Sequence, residues 1–237
     1  MTMGRIIGAL ILGCLLMLGL VWGGSYIRAA AQVWKQADRV VTVKGLAERE
    51  VPADLALWPL HFSVTGDQLG PLQAEMAASE RRIRDFLVAE GFDAGNISVT
   101  PPNVRDLQAE SYAQPPPEER YRGEATVLLR TPKVAQVKAA MPKTGRLVGN
   151  GVLLSPNYEY RIEFLFTGLE AIKPEMIADA TRDARRAAEQ FANDAGSAVG
   201  HIRSANQGYF SINDLDSYTP DIKRVRVVTT IDYALDD

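Results

Sequence analysis

The chain has 237 residues, 46% apolar and 23% charged, which is enough to bury a core as one large domain or two small ones. Its net charge is −3, and Arg5 and Arg28 are the only charges before residue 32, so the remainder is more acidic still. That balance argues against nucleic acid or anionic lipid as the main partner. One cysteine, Cys14, excludes an intrachain disulfide, and two histidines, His61 and His201, leave little material for a metal site or histidine-based catalysis.

Residues Ile6 to Trp22 form an uncharged apolar run, which Gly23 to Ile27 extend to Arg28. Two readings fit residues 1–31. They form a secretory signal cleaved at Ala29-Ala30-Ala31, or residues 6–27 remain as a membrane anchor; the length of the run favours the anchor. Ile11-Leu12-Gly13-Cys14 loosely resembles a lipidation box. Leu12 suits it poorly and the apolar run continues past the cysteine, which favours a membrane-buried thiol. Residues 32–38 read as a polar stalk, and 39–237 as the folded domain.

Strands begin at Arg39 with RVVTVKGLAEREV, followed by DLALWPLHFSVT, in which Ala56, Trp58, Leu60, Phe62 and Val64 share one face. Pro59 cannot donate a ladder bond, so this strand is an edge or is bulged there. Gly70-Pro71 opens a helix to Glu90, with Leu72, Met76, Ile83 and Phe86/Leu87 inward and Gly91 as terminator. A strand near 96–105 follows, and Pro115-Pro116-Pro117 reads as a stiff connector. Tyr121–Arg130 is a strand, and a short helix from Thr131-Pro132 ends at Pro142 and Gly145. Strands are then expected at 146–154 and 158–166. In the latter, Tyr158, Tyr160, Ile162, Phe164 and Phe166 alternate with charged residues.

The segment 174–196 organises the rest. Ile177, Ala180, Ala184, Ala187/Ala188, Phe191 and Ala195 form one helical face, Pro174 suits the first turn, and Gly196 suits the closing left-handed position. A face made mostly of alanine lets a helix lie close against a sheet. A strand near 199–212, a loop and a last strand 225–235 complete the chain, with Val225, Val227, Ile231, Tyr233 and Leu235 on one face. The order is ββα three times, then ββ. This predicts an α+β fold: largely antiparallel sheet with helices packed on one face, preceded by an N-terminal hydrophobic helix.

No catalytic, cofactor-binding or metal residue is assigned. His61 reads as a partly exposed sheet histidine, and His201 likewise. Gly145–Gly151 lacks the lysine and Ser/Thr end of a phosphate loop and reads as a turn with a close strand approach. Arg182, Arg185 and Arg186 lie within a turn of Asp179, Asp183 and Glu189, so intrahelical ion pairs explain them better than an anion site. A Ser-centred glycine elbow, HExxH, CxxC and Walker signatures are all absent.

Residues 41–56 (VTVKGLAEREVPADLA), 86–100, 121–132, 180–208 (ATRDARRAAEQFANDAGSAVGHIRSANQG) and 225–236 follow one another in an order that resembles the SIMPL-domain family, formerly a domain of unknown function. The resemblance implies export to the periplasm or cell envelope. It implies properties reported for some members: immunogenicity, links to oxidative-stress tolerance, and assembly into ring- or channel-like oligomers. The family has no agreed catalytic residues, so none is carried over.

The main expectation is therefore a non-enzymatic cell-envelope protein acting by self-association, as a homo-oligomer, or by binding a protein partner. Its folded region is expected in the periplasm, anchored in the inner membrane or free if the leader is cleaved. Strands 54–65 or 225–235 would pair between subunits if they lie at sheet edges. The alternative is a small-ligand-binding or enzymatic domain with a pocket between sheet and helices, including His61 or Arg161. A weaker third reading is a holdase that uses exposed strand edges.

Overall fold

The computed structural model describes residues 3, 13, 15–24, 26, 39–110, 117–155 and 158–236. The cleavage motif, the lipidation motif apart from Gly13, the stalk and Pro115-Pro116 lie outside these residues, as does most of the first half of the apolar leader. Residues 15–24 are helical (α1), and Leu15, Leu16, Met17, Leu18, Leu20 and Trp22 are all at least 60% exposed. Among the described residues, no helix is long and apolar enough to cross a membrane.

The fold is α+β. Its elements run β1 (Val40–Pro52), β2 (Leu55–Gly66), α2 (Leu69–Ala89), β3 (Ile97–Val99), β4 (Asn103–Asp106), α3 (Leu107–Glu110) and β5 (Tyr121–Thr131). Then come α4 (Val134–Ala140), α5 (Gly145–Gly149), β6 (Leu153–Leu154), β7 (Glu163–Leu165), α6 (Leu169–Asp194), β8 (Ala198–Gln207), β9 (Ser211–Asp214) and β10 (Ile222–Asp236). The ββα recurrence survives with short additions. The chain divides into two compact units: Met1–Glu48 with Pro174–Phe210 and Arg226–Asp237, and Arg49–Lys173 with Ser211–Val225.

In the first unit, β10 pairs antiparallel with β8, and β1 lies on its other side. Thr42 and Glu48 of β1 meet Asp232 and Arg226 of β10 in reverse order, so that pair is antiparallel as well. The Asp232 carboxylate accepts from Thr42 and from Ser204 of β8, tying three strands together, and these bonds hold its pKa below the usual carboxylate range.

Helix α6 covers this sheet through Met176, Ala180, Ala184, Ala188 and Ala192, all buried at a spacing of four. Val43, Ile231 and Tyr233 pack with Ala184 and Ala188. The alanine face brings the helix backbone onto β1 at Gly45. A Cβ added there would stand 2.8 Å from Ala184 Cβ and nearer still to Ala180 O and Ala184 N. The neighbouring Leu46 N–H donates to Asp183 Oδ2 of the helix (2.9 Å), which occupies one donor of the β1 backbone. The outer face carries the expected ion pairs Asp179–Arg182, Asp183–Arg186 and Arg185–Glu189. Phe191 is not on the buried face as expected. It is 63% exposed, and Ala192 takes the contact, because a helix this close to a sheet has no room for a ring.

Helix α6 also begins five residues before Pro174, which therefore lies inside it. Asp54 accepts from the N–H groups of Thr167 (2.8 Å) and Gly168 (3.0 Å), satisfying donors just ahead of the helix, and this sets its start. At the other end Ser197 N–H bonds Ala192 O and Gly196 N–H bonds Asn193 O, a Schellman closure with Gly196 at φ 67°. Gly91 and Gly151 close α2 and α5 in the same way.

In the second unit, β2 and β5 pair antiparallel along their whole length, from Ala56↔Thr131 to Gly66↔Tyr121. The sheet order is β3-β5-β2-β6, with β4 on β5 and β7 on β2. Trp58, Leu60 and Phe62 of β2 and Val127 and Leu129 of β5 face the buried side of α2 (Leu72, Met76, Ile83, Leu87), as the alternation predicts. Trp58 meets Phe86 and Phe92 edge-on at 6.4 Å. Val137, Ala140 and Leu147 of α4 and α5 join the same core, so the helices share one face of the sheet.

Two expected strands are corrected here. In the segment 146–154, residues 146–149 belong to helix α5 and only Leu153–Leu154 pairs as a strand. The spacing of Val137, Ala140, Thr144 and Leu147 is helical and continues past Pro142, which sits harmlessly in the first turn of a short 3-10 helix, Met141–Thr144. Of 158–166, Tyr158–Tyr160 is a 3-10 helix and only Glu163–Leu165 is strand. Strands β2 and β10 are interior, not edges. The outer positions in the first sheet belong to β1 and β8.

Candidate functional site

The most distinctive site lies where β2 loses its partner. Strand β7 pairs with β2 as far as Leu57↔Glu163, and β6 pairs with it at Phe62↔Leu154 and Ser63↔Leu153. Among the described residues, none pairs in a ladder with 58–61 of β2 on this side, and eight residues of chain connect the two short strands. Pro59 falls within the interruption. The His61 carbonyl accepts from Ser155 N–H (3.0 Å) at this edge. Residues two apart in a strand direct their backbone groups to the same edge, so the missing Pro59 N–H falls where no strand requires it. The strand itself is neither an edge nor bulged at Pro59, as its register against β5 runs unbroken there; the irregularity lies in the β6–β7 segment opposite.

The interruption leaves a cavity of about 340 Å³ within the second unit. Its apolar walls come from Trp58, Leu60, Met141, Leu154 and Ile162. Thr144, Ser155, Tyr160 and His61 bring polar atoms, and exposed Arg161 is the one side chain of fixed charge among the described residues of the lining.

His61 is 9% exposed, not the partly exposed sheet residue expected. Its Nδ1 and the Thr126 hydroxyl, directly opposite on β5, are 2.9 Å apart. Its ring stacks on Tyr160 with centroids 3.9 Å apart and planes 9° from parallel. Burial pushes the imidazole pKa down, opposed by the negative charges of Glu124 and Glu159, so the ring is neutral at pH 7. With Nδ1 engaged, Nε2 is the ring's remaining polar atom. Ser155 Oγ lies 3.4 Å from Ser63 Oγ, and Thr144 donates to Met141 O.

Arg161 also borders a second cavity, of about 410 Å³, where the buried Lys223 ammonium pairs with Asp214. His201 belongs to the first unit, where it stands exposed on β8. Among the described residues, no cluster of three or more His, Cys, Asp or Glu is arranged to hold a metal ion. The structure therefore brings together His61 and Arg161, both named from the sequence, and adds Thr126, Ser155 and Tyr160. Those three were invisible as site residues because only the fold apposes them; His61 and Thr126 are 65 positions apart.

No curated protein matches the chain. The family model described as SIMPL, protein of unknown function (DUF541), matches residues 41–228, well over half of the sequence. The chain belongs to the SIMPL family.

Proposed function

We propose that this SIMPL protein is a non-enzymatic cell-envelope component that works by self-association or partner binding, its folded region in the periplasm. The observation that carries self-association is β8. This ten-residue strand ends its sheet, is exposed along most of its length on both faces, and presents Ile202 at 48% exposure. A long outer strand with unpaired backbone groups is a template for pairing with a second chain. The apolar, solvent-facing side chains of α1 support a membrane role for the leader. A link to stress tolerance draws support from family membership only.

Intact and native mass of the protein extracted from its own membranes tests this. Full-length protein in the membrane fraction as a multiple of 25.9 kDa is expected, and Ile202→Lys, which charges the outer strand, shifts it toward the monomer. A monomer at every micromolar concentration removes self-association. A soluble form lacking residues 1–31 removes the tether and leaves a periplasmic protein.

The cavity at His61 favours a second reading, a small-ligand-binding domain, because it gathers polar groups on apolar walls at the low end of the size range of ligand pockets. Saturable binding of a small organic molecule, sensed at His61, is its test.

A further inference from the structure

Resting on that second reading, we propose that the His61 cavity is a site for a small organic monocarboxylate, its apolar body held between Leu60, Leu154 and Ile162 and its carboxylate directed to Arg161 and His61. Three observations lead there.

The first is shape and polarity. A cavity of about 340 Å³ walled by Trp58, Leu60, Met141, Leu154 and Ile162 matches an apolar body of about ten heavy atoms at most, near the lower limit of ligand pockets. The second is charge. Among the described residues that line the cavity, Arg161 is the one side chain of fixed charge. Glu159, whose charge reaches His61, is exposed and screened by solvent, and Glu124 lies beside His61 on β5 without lining the cavity. A guanidinium at the mouth of an apolar cavity matches a planar carboxylate better than any neutral group.

The third is the imidazole itself. His61 is more than nine-tenths buried, fixed at Nδ1 by Thr126 and on its face by Tyr160, and it borders the cavity. A ring fixed on two sides presents Nε2 in one orientation. An arriving anion favours the protonated ring, so Nε2–H then donates to the carboxylate. Binding would thus take up a proton at His61, whose charged and titratable neighbours are Glu124, Glu159, Arg161 and Tyr160.

The chain has two histidines, one in the cavity and one exposed on β8, so ring-labelled histidine gives a reporter and an internal control. Full-length protein carrying ¹³C-labelled histidine is titrated with benzoate and, separately, with benzyl alcohol. Benzoate is expected to move the His61 signal saturably, leave His201 unchanged and raise the His61 titration midpoint. Benzyl alcohol should bind at least about tenfold more weakly, and Arg161→Gln should weaken benzoate by about tenfold, the effect of losing one charge-assisted contact. Arg161 is exposed, so the variant is expected to fold, and its circular dichroism checks this.

Equal binding of the two probes overturns the carboxylate assignment and leaves the cavity as a site for uncharged molecules. No response of His61 to either probe overturns both the assignment and the second reading. Undiminished benzoate binding by Arg161→Gln overturns the role given to the guanidinium and the proposal with it.

Discussion

Gly45→Ala tests the claim that the small-residue face of α6 is what allows helix and sheet to meet. The added methyl would stand 2.8 Å from Ala184 Cβ and closer to the Ala180 carbonyl and the Ala184 amide. Carbon–carbon contact is favourable at about 3.8 Å, so the helix must retreat by about 1 Å or more. The obstructing atoms are helix backbone and a Cβ, which have no rotamer to escape into. A gap of that size forfeits about a quarter to a half of each contact made by the alanine face, and overpacking of this kind costs about 3 kcal/mol, the upper end of its range. For a chain of this length that corresponds to about 6–12 °C in melting temperature. Thermal melting followed by circular dichroism gives the magnitude, and amide exchange of α6 gives the location. Gly123→Ala is the control: there the added methyl meets the Met76 side chain, Sδ nearest of all and then Cε at 3.1 Å and Cγ at 3.2 Å, and a thioether, unlike helix backbone, can turn aside. A Gly45→Ala melting temperature within about 2 °C of the parent, or a larger effect from Gly123→Ala, would refute the reasoning.

Two further outcomes follow from buried polar groups. Among the described residues, buried Thr229 Oγ1 on β10 finds no hydrogen-bond partner, so Thr229→Val should leave stability unchanged or raise it by about 1 kcal/mol; a loss read from urea denaturation would show that the hydroxyl has an acceptor. His61 binds its proton more weakly folded than unfolded, so its contribution is full above the ordinary histidine pKa of about 6.5 and is lost as pH falls through that value toward the lower folded one. Urea midpoints between pH 5 and 7.5 should therefore rise with pH in the parent more steeply than in His61→Gln, and identical profiles would contradict the burial argument.

Periodicity within one element depends only on residues a few positions apart, and wherever a single face had to be buried, the sequence alone was enough. The alanine face of 180–188, the inward residues of α2 and the alternation of Ala56, Trp58, Leu60 and Phe62 all stand as read. So do the charge pairs of α6 and the closing roles of Gly91 and Gly196, since ion pairing three or four residues apart and a positive φ are local properties too. The family was legible for a related reason: the motifs fall on these same elements.

Tertiary structure decided what depends on a distant neighbour. Asp54 moves the start of α6 ahead of Pro174, and the closeness of the sheet turns Phe191 outward while Ala192 goes in. Residues 158–166 alternate as well as any strand in the chain, yet β2 accepts only three of them, because its edge is shared with β6 and interrupted at Pro59. The cavity at His61 exists because of that interruption. A gap between two strand pairings is a property of long-range register, and no spacing within a single segment encodes it.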